Sequence, residues 1–292
     1  MILTRRELYE KTICRKSFLT WLMDLNILKK KHKCKTCKIY MNLINHHRGD
    51  GYIWSCKSKK CNKSKLSVRT GSVFAGIKAS LEKIIFIIYE WCVKTNYARI
   101  KKEYNINYKL FSTVLGLIRR SYNRRNRKPI GGDGKVVEID ESALSKRKYN
   151  IGRGLEQVWV VGGICRITKE CFFEITKKKD SASLDKIILD NVKNQSVIIT
   201  DEWKGYCNVK THNYTHFTVK HKTEFLCKEN KDVHTQNIEN QWKWLKNYLK
   251  SRGSNIKCNL KDHINDYLFL RKENPFSEII NSMKIFEIKK SI

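Results

Sequence analysis

The chain has 292 residues, 41% of them hydrophobic, which is enough for two or three small domains with a real core. Its formal net charge is +32, from 60 Lys and Arg against 28 Asp and Glu, and the first 130 residues hold 31 basic but only 7 acidic side chains. That field implies a polyanionic partner, nucleic acid first; a ribosomal-type protein or a membrane-surface binder would be basic too. The start MILTRRELYEK has no apolar core segment, and the most apolar run, residues 81–93, is broken by Lys83 and Glu90. The run is also shorter than the roughly 20 residues a bilayer span needs, so the chain reads as soluble, without a membrane segment.

Residues 1–31 form an N-terminal helical segment, with apolar Leu8, Phe18, Leu19, Leu22, Leu25 and Leu28. Residues 32–75 carry Cys34-Lys-Thr-Cys37 and, after 18 residues, Cys56-Lys-Ser-Lys-Lys-Cys61. In a reducing compartment, paired cysteines read as metal ligands before disulfides. Two such pairs are the ligand set of a zinc ribbon, each supplying a knuckle, with residues 40–44 and 52–55 as the hairpin between them. Four protein ligands close the site, so the Zn²⁺ would be structural. His32, His46 and His47 stand as alternative ligands, free thiols as the alternative state. Arg48-Gly49-Asp50 reads as a turn. The other seven cysteines show no pairing and read as small buried apolar residues.

Residues 76–125 are helical. Within them, 96–104, a turn at 105–107 and 108–120 have the form of a helix-turn-helix. Arg119, Arg120, Arg124 and Arg125 make its end basic, suited to DNA; a packed helical hairpin with a solvated end is the alternative. The composition of residues 126–134, with Pro129 and three glycines, reads as a linker.

From residue 135 the pattern changes. Strands are expected at 136–140, 158–167 and 171–175, a helix at 183–192, strands at 197–200 and 217–219, and helices at 235–249 and 262–271. Three strands, helix, strand, strand, helix is the ribonuclease H-like layout of a mixed sheet flanked by helices. The fold class is therefore α/β, with a catalytic domain at 135–275 preceded by the ribbon and helical domains and followed by a tail at 276–292.

Three strings stand out: KVVEIDES at 135–142, SVIITDEWKGY at 196–206 and HTQNIENQWKWLK at 234–246. Asp140 and Asp201 end apolar strands, and Glu239 opens an amphipathic helix whose stripe is Ile238, Trp242, Leu245 and Leu249. Lys243, Lys246 and Lys250 follow Glu239 at helical spacing. Three carboxylates gathered in a basic protein repel one another unless a cation sits among them. Hard oxygen ligands favour two Mg²⁺ or Mn²⁺ ions over a phosphodiester. Glu138, Glu141 and Glu202 compete as ligands, Glu138 most directly because it shares the strand face of Asp140. Taken singly, each carboxylate also fits a plain strand-end or ion-pair role.

VEIDES, RKYNIGRGLEQVWVVGGICR, TDEWKGY, HTQNIENQWKWLK and NDYLFLRKEN together resemble the transposases of Merlin-type DNA transposons and related bacterial insertion sequences, over roughly residues 34–275. SCKSKKCNKSKLSVRTGSVF resembles the family's zinc-ribbon end. The resemblance implies a ribonuclease H-like domain with the acidic triad Asp140, Asp201 and Glu239. It further implies metal-dependent cut-and-paste transposition, with nicking at terminal inverted repeats followed by strand transfer. Lys220-His221-Lys222 departs from the family's Asn-His-Ser. Arg147, Lys148 and Arg153 would form a basic loop gripping transposon-end DNA, with Lys243 and Lys246 on the backbone. A homodimer or higher synaptic assembly is expected, in the nucleus of a eukaryote or the cytoplasm of a bacterium. A domesticated DNA-binding regulator without cleavage and a structure-selective nuclease are the competing readings.

Overall fold

The computed structural model describes residues 3–61, 64–123, 128–144, 158–219, 233–252 and 259–284. They fall into two units, one within Met1–Arg125 together with Phe269–Ile292 and the other within Asn126–Leu268.

The first unit opens with α1 (Arg5–Thr12), which a capping box starts: Glu7 N–H donates to Thr4 Oγ1, and Thr4 N–H donates back to the Glu7 carboxylate at 2.7 Å. α2 (Arg15–Asp24) follows, because Cys14 is extended and breaks what composition reads as one helical segment. Leu8, Leu19, Leu22 and Leu28 are buried as their spacing predicts. Next comes an antiparallel sheet of β1 (Asn42–Asn45), β2 (Tyr52–Ser55) and β3 (Lys65–Ser67), the last not foreseen. The turn between β1 and β2 contains Asp50, whose side chain is buried. Arg69 donates to both its oxygens, at 2.5 and 2.6 Å, and Leu81 N–H donates to one of them. The Arg-Gly-Asp string thus fastens the sheet to the segment leading into α3 (Leu81–Cys92).

α3 buries Ile84, Ile85, Ile87 and Ile88 completely, each worth about 1.5–3 kcal/mol. Glu90 lies fully buried among them, and it is satisfied: Arg5 pairs with it, Thr95 donates at 2.7 Å and Tyr104 at 3.0 Å. α4 (Tyr97–Tyr104) ends on Asn105 in the left-handed region, at φ 45°. Asn107 then caps α5 (Tyr108–Asn123) by accepting from Leu110 N–H.

The second unit holds β4 (Ile130–Gly131), β5 (Val136–Ala143), β6 (Trp159–Cys165), β7 (Cys171–Thr176), α6 (Ser181–Asn191), β8 (Val192–Lys193), β9 (Val197–Asp201), β10 (Thr215–Val219), α7 (Gln236–Ser251) and α8 (Leu260–Phe269). The main sheet runs β10-β9-β5-β6-β7, with β5, β6 and β7 an antiparallel meander and β9 and β10 parallel to β5. This is the ribonuclease H-like order, and the fold is α/β. Side chains alternate between the faces of the sheet. Val137, Ile139, Val161 and Phe172 pack under Leu184 and Ile188 of α6. Val160, Ile164 and Phe173 pack under Ile238, Trp242, Leu245 and Leu249 of α7.

Two stretches differ from their sequence reading. Residues 130–134, read as part of a linker, are built into the second unit: β4 pairs with β8, and Gly132 N–H donates to Ser196 Oγ at 2.9 Å. Gly131 sits at φ +81°, and a Cβ there would lie 2.5 Å from Ser196 Oγ, so its glycine meets a packing requirement. Residues 276–292, read as a tail, begin inside α9 (Pro275–Ser282), which belongs to the first unit. Phe276 packs edge-on to Tyr89 there. No described helix is long and apolar enough to cross a membrane.

Candidate active site and metal centre

Strand β5 places its residues by period-2 alternation, so Glu138, Asp140 and Ser142 face α7 while Val137, Ile139 and Glu141 face α6. β9 pairs with β5 in parallel, Glu138 opposite Ile199. That pair ends the register; two residues beyond it on the same face come Asp140 and Asp201, near enough for the Asp201 charge to act on the Asp140 carboxyl. α7 lies across that face, with Ile238 and Trp242 turned into the core and Glu239 exposed at its edge. Asp201 ends β9 as its sequence suggests, but β5 continues to Ala143, so Asp140 lies within its strand and not at its end; both face the side of the sheet covered by α7, the helix that bears Glu239.

Asp140 keeps some solvent contact but is enclosed by protein on most sides. Burial raises its carboxyl to about 6, and the charges of Glu141 and Asp201 add to the effect. The indole N–H of Trp242 donates to Asp140 Oδ2 at 2.9 Å. Asp201 accepts Trp203 N–H at 3.2 Å, and Glu239 accepts the Thr235 hydroxyl at 3.1 Å.

The competing glutamates divide by their partners. Glu138 is fully buried, and both its oxygens are engaged. Arg166 Nε at 2.6 Å and Asn237 Nδ2 at 2.7 Å meet one, Ile238 N–H at 3.0 Å the other. It shares a face with Asp140 but is spent on holding the start of α7. Glu141 points to the opposite face, where Tyr206 donates at 2.7 Å and Lys179 pairs at 2.9 Å. Lys179 in turn lies over the rings of Trp159 and Trp203, 3.7 and 4.3 Å from their centroids. Glu202 is exposed.

The donors at Asp140, Asp201 and Glu239 are hard oxygens, which suit a divalent cation of the Mg²⁺ or Mn²⁺ type; the Asp140 carboxyl is raised first by burial and then by the charges of Glu141 and Asp201. Among the described residues only the cysteine quartet brings three or more ligand atoms within 4.8 Å of one another, so the carboxylates stand more widely spread. Mutual repulsion of three anions favours such a spread.

In the first unit Cys34, Cys37, Cys56 and Cys61 converge, their sulfurs all within 4.8 Å of one another. The first pair sits on a knuckle: Cys34 N–H donates to Ile39 O, Lys38 N–H donates to Cys34 O, and Lys38 takes φ +63°. The second pair closes on Cys56 N–H to Ser64 O and Ser64 N–H to Cys61 O. Backbone N–H groups of Cys37 and Thr36 draw the Cys34 thiol down to about 6, while hydrogen bonding with Cys37 pushes Cys61 up to about 12. Four sulfurs at this separation fit a tetrahedral soft-ligand site. None of the three candidate histidines joins them. His32 packs on Trp54 with Nε2 lacking a hydrogen-bond partner among the described residues, and His46 stacks on His47 in the hairpin turn. Of the remaining described cysteines Cys92 and Cys165 are buried as expected, but Cys14 and Cys207 are exposed and Cys171 partly so.

Of the basic residues proposed for DNA, Arg120 at the end of α5 and Lys243 and Lys246 on α7 are exposed, and Arg119 is partly covered. Arg124, Arg125, Arg147, Lys148 and Arg153 lie outside the described residues, as does His221. Sequence reasoning missed Arg166, Asn237, Lys179 and Tyr206, and read Trp242 only as core. Their partners lie 28–102 residues away, beyond the reach of periodicity. It also missed Trp244, which is 60% exposed on the lysine-rich side of α7. The one available signal for it is an aromatic at a polar position of the helix.

Residues 128–269 match the ISXO2-like transposase domain family. Similar solved structures include the catalytic core of HTLV-2 integrase in complex with magnesium, at 14% identity, covering 49% of this chain and 86% of that one with a TM-score of 0.32. Another is the simian T-cell lymphotropic virus intasome in complex with the PP2A regulatory subunit B56 gamma, at 12% identity, covering 57% and 60% with the same score. No curated protein matches. The unit that carries Asp140, Asp201 and Glu239 thus coincides with the stretch that is similar to the ISXO2-like transposase domain.

Proposed function

We propose that this chain is an active DNA transposase that cuts at terminal inverted repeats and joins the freed ends to target DNA, with Asp140, Asp201 and Glu239 as its metal ligands. The observation that carries the reading is the convergence of Asp140 and Asp201 on one sheet face, beneath the helix that bears Glu239, with Asp140 raised by burial and by the neighbouring charges. Two divalent cations bound there would activate the attacking water or 3′-hydroxyl and stabilise the leaving oxygen. The protein's own part is to hold the three carboxylates, to orient Asp140 through Trp242, and to bring the scissile phosphate against them. Lys243 and Lys246 on the exposed side of α7 suit backbone phosphates beside the site. In the first unit, α5 with Arg119 and Arg120 serves as the recognition helix, and the cysteine quartet holds a structural Zn²⁺.

The test is cleavage of a duplex carrying one transposon end. With Mg²⁺ or Mn²⁺ the protein should nick at the repeat boundary. Asp140→Asn should bind the duplex with unchanged affinity and lose cleavage by about 10³-fold or more, a transition-state loss of about 4 kcal/mol. Normal cutting by that variant would refute the assignment. Binding that is tight but never followed by cutting in wild type would favour the regulator reading.

A further inference from the structure

We propose that Trp242 and Glu138 are positioning residues that together fix where α7 sets Glu239 against Asp140. The inference rests on the metal-site reading above. α7 is tied to β5 at two points. Its first turn gives Ile238 N–H and Asn237 Nδ2 to the carboxylate of Glu138, and one turn later Trp242 Nε1 donates to Asp140 Oδ2. The two steps match. Glu138 to Asp140 is two strand residues, about 6.7 Å, and Ile238 to Trp242 is four helix residues, about 6 Å. Helix and strand therefore lie side by side with both tethers in register, and Glu239 sits between them in sequence. One tether would leave the helix free to swivel; two set its rotation and its advance along the strand.

Each tether is buttressed. Glu138 is fully buried, and its charge is balanced by Arg166, whose Nη2 also donates to His234 O at 2.8 Å just before α7 begins. The carboxylate thus sits at the positive end of the helix dipole. Trp242 reaches Asp140 because Asp140's register partner is Gly162. A Cβ on Gly162 would lie 2.8 Å from Trp242 Cζ2 and 2.7 Å from the Phe173 ring. The indole N–H and the backbone N–H of Glu141 both hydrogen-bond to the Asp140 carboxylate and so restrain its rotation. Partners of this kind, which orient a ligand from behind, shift metal affinity by about 10- to 100-fold when removed.

The test compares wild type with Trp242→Phe, Glu138→Gln and the charge-neutral pair Glu138→Gln with Arg166→Met. Mn²⁺ binding is measured by paramagnetic resonance, end-DNA binding by anisotropy, and folding by thermal denaturation. The folded variants should bind DNA as wild type does and need about 10-fold more Mn²⁺ for half-saturation, with cleavage largely recovered at saturating metal. A lowered melting temperature with unchanged Mn²⁺ affinity would mean a structural role alone and overturn the proposal. In wild type, independent of any variant, Mg²⁺ should shift the Trp242 indole N–H resonance with the half-saturation seen for cleavage; no shift would overturn it too. If wild type binds Mn²⁺ no better than Asp140→Asn, the metal-site reading itself falls, and the proposal with it.

Discussion

Tyr206 donates its hydroxyl to Glu141 Oε2 at 2.7 Å, joining the turn that follows Asp201 to the strand residue that follows Asp140. The tie lies on the α6 face of the sheet, one residue along β5 from Asp140. Tyr206 is fully buried, and burial together with the Glu141 charge holds its hydroxyl well above the ordinary range, so it stays a donor. Tyr206→Phe should destabilise the fold by about 1.5–3 kcal/mol, the usual worth of a hydrogen bond to a charged group. Urea denaturation reads this directly, and a variant within 0.5 kcal/mol of wild type would show that the tie is idle.

Gly162 makes a sharper prediction about the same strand. Adding a methyl group there drives into Trp242 and Phe173 rather than into solvent. Gly162→Ala should cost about 1–3 kcal/mol by overpacking and move the indole away from Asp140. Paired Gly162→Ala and Trp242→Phe variants, compared in a double-mutant cycle, should show coupling. Simple additivity would contradict the contact.

The second unit should also lose stability in mild acid through His216. Burial, aided by the charge of Lys210, lowers this imidazole to about 4, and its Nε2 lies 2.9 Å from Thr200 Oγ1. The unfolded chain takes up the proton near pH 6.5 and the folded one only near pH 4. The contribution is therefore present above pH 6.5 and is lost as the pH falls from 6.5 to 4. The raised Asp140 carboxyl acts in the opposite direction over nearly the same range, so the reading is comparative: on acidification the denaturation midpoint of wild type should fall relative to that of His216→Gln. Identical slopes would remove His216 as the cause.

The cysteine quartet predicts one zinc per chain. Replacing Cys34, Cys37, Cys56 or Cys61 singly by alanine should lower bound zinc measured by elemental analysis. It should also lower the melting temperature of the first unit, whose three short strands have little core of their own. Full zinc content after Cys61→Ala would mean that another ligand replaces it, His32 being the nearest in sequence to the quartet with an unpartnered nitrogen.

What could be seen in the chain and what could not divides by distance along it. The strand end at Asp201, the amphipathic stripe of α7 and the spacing of Cys34, Cys37, Cys56 and Cys61 are local patterns that period and spacing expose, whereas β5 runs on past Asp140 to Ala143 because β6 pairs with it there. The role of Glu138 is not local. Alternation alone makes it the equal of Asp140, and only Arg166, Asn237 and the Ile238 N–H, up to 100 residues away, turn it from a ligand candidate into an anchor. The glycines at 131 and 132 suggest a linker by composition, yet positive φ and the close approach of Ser196 place them in a folded corner. α9 was hidden for the same reason, since its partner Tyr89 lies far back in the chain.

Under the proposed function Asp140, Asp201 and Glu239 grip the same cation. Replacing Mg²⁺ by Fe²⁺ and generating hydroxyl radicals at the bound ion would test it directly, because backbone scission then maps the ligands. Three cuts are expected, around Asp140 within β5, at the end of β9 and in the first turn of α7, each suppressed by excess Mg²⁺ and by Asp140→Asn. Cuts at one of these places only, or scission that Mg²⁺ does not compete away, would contradict it.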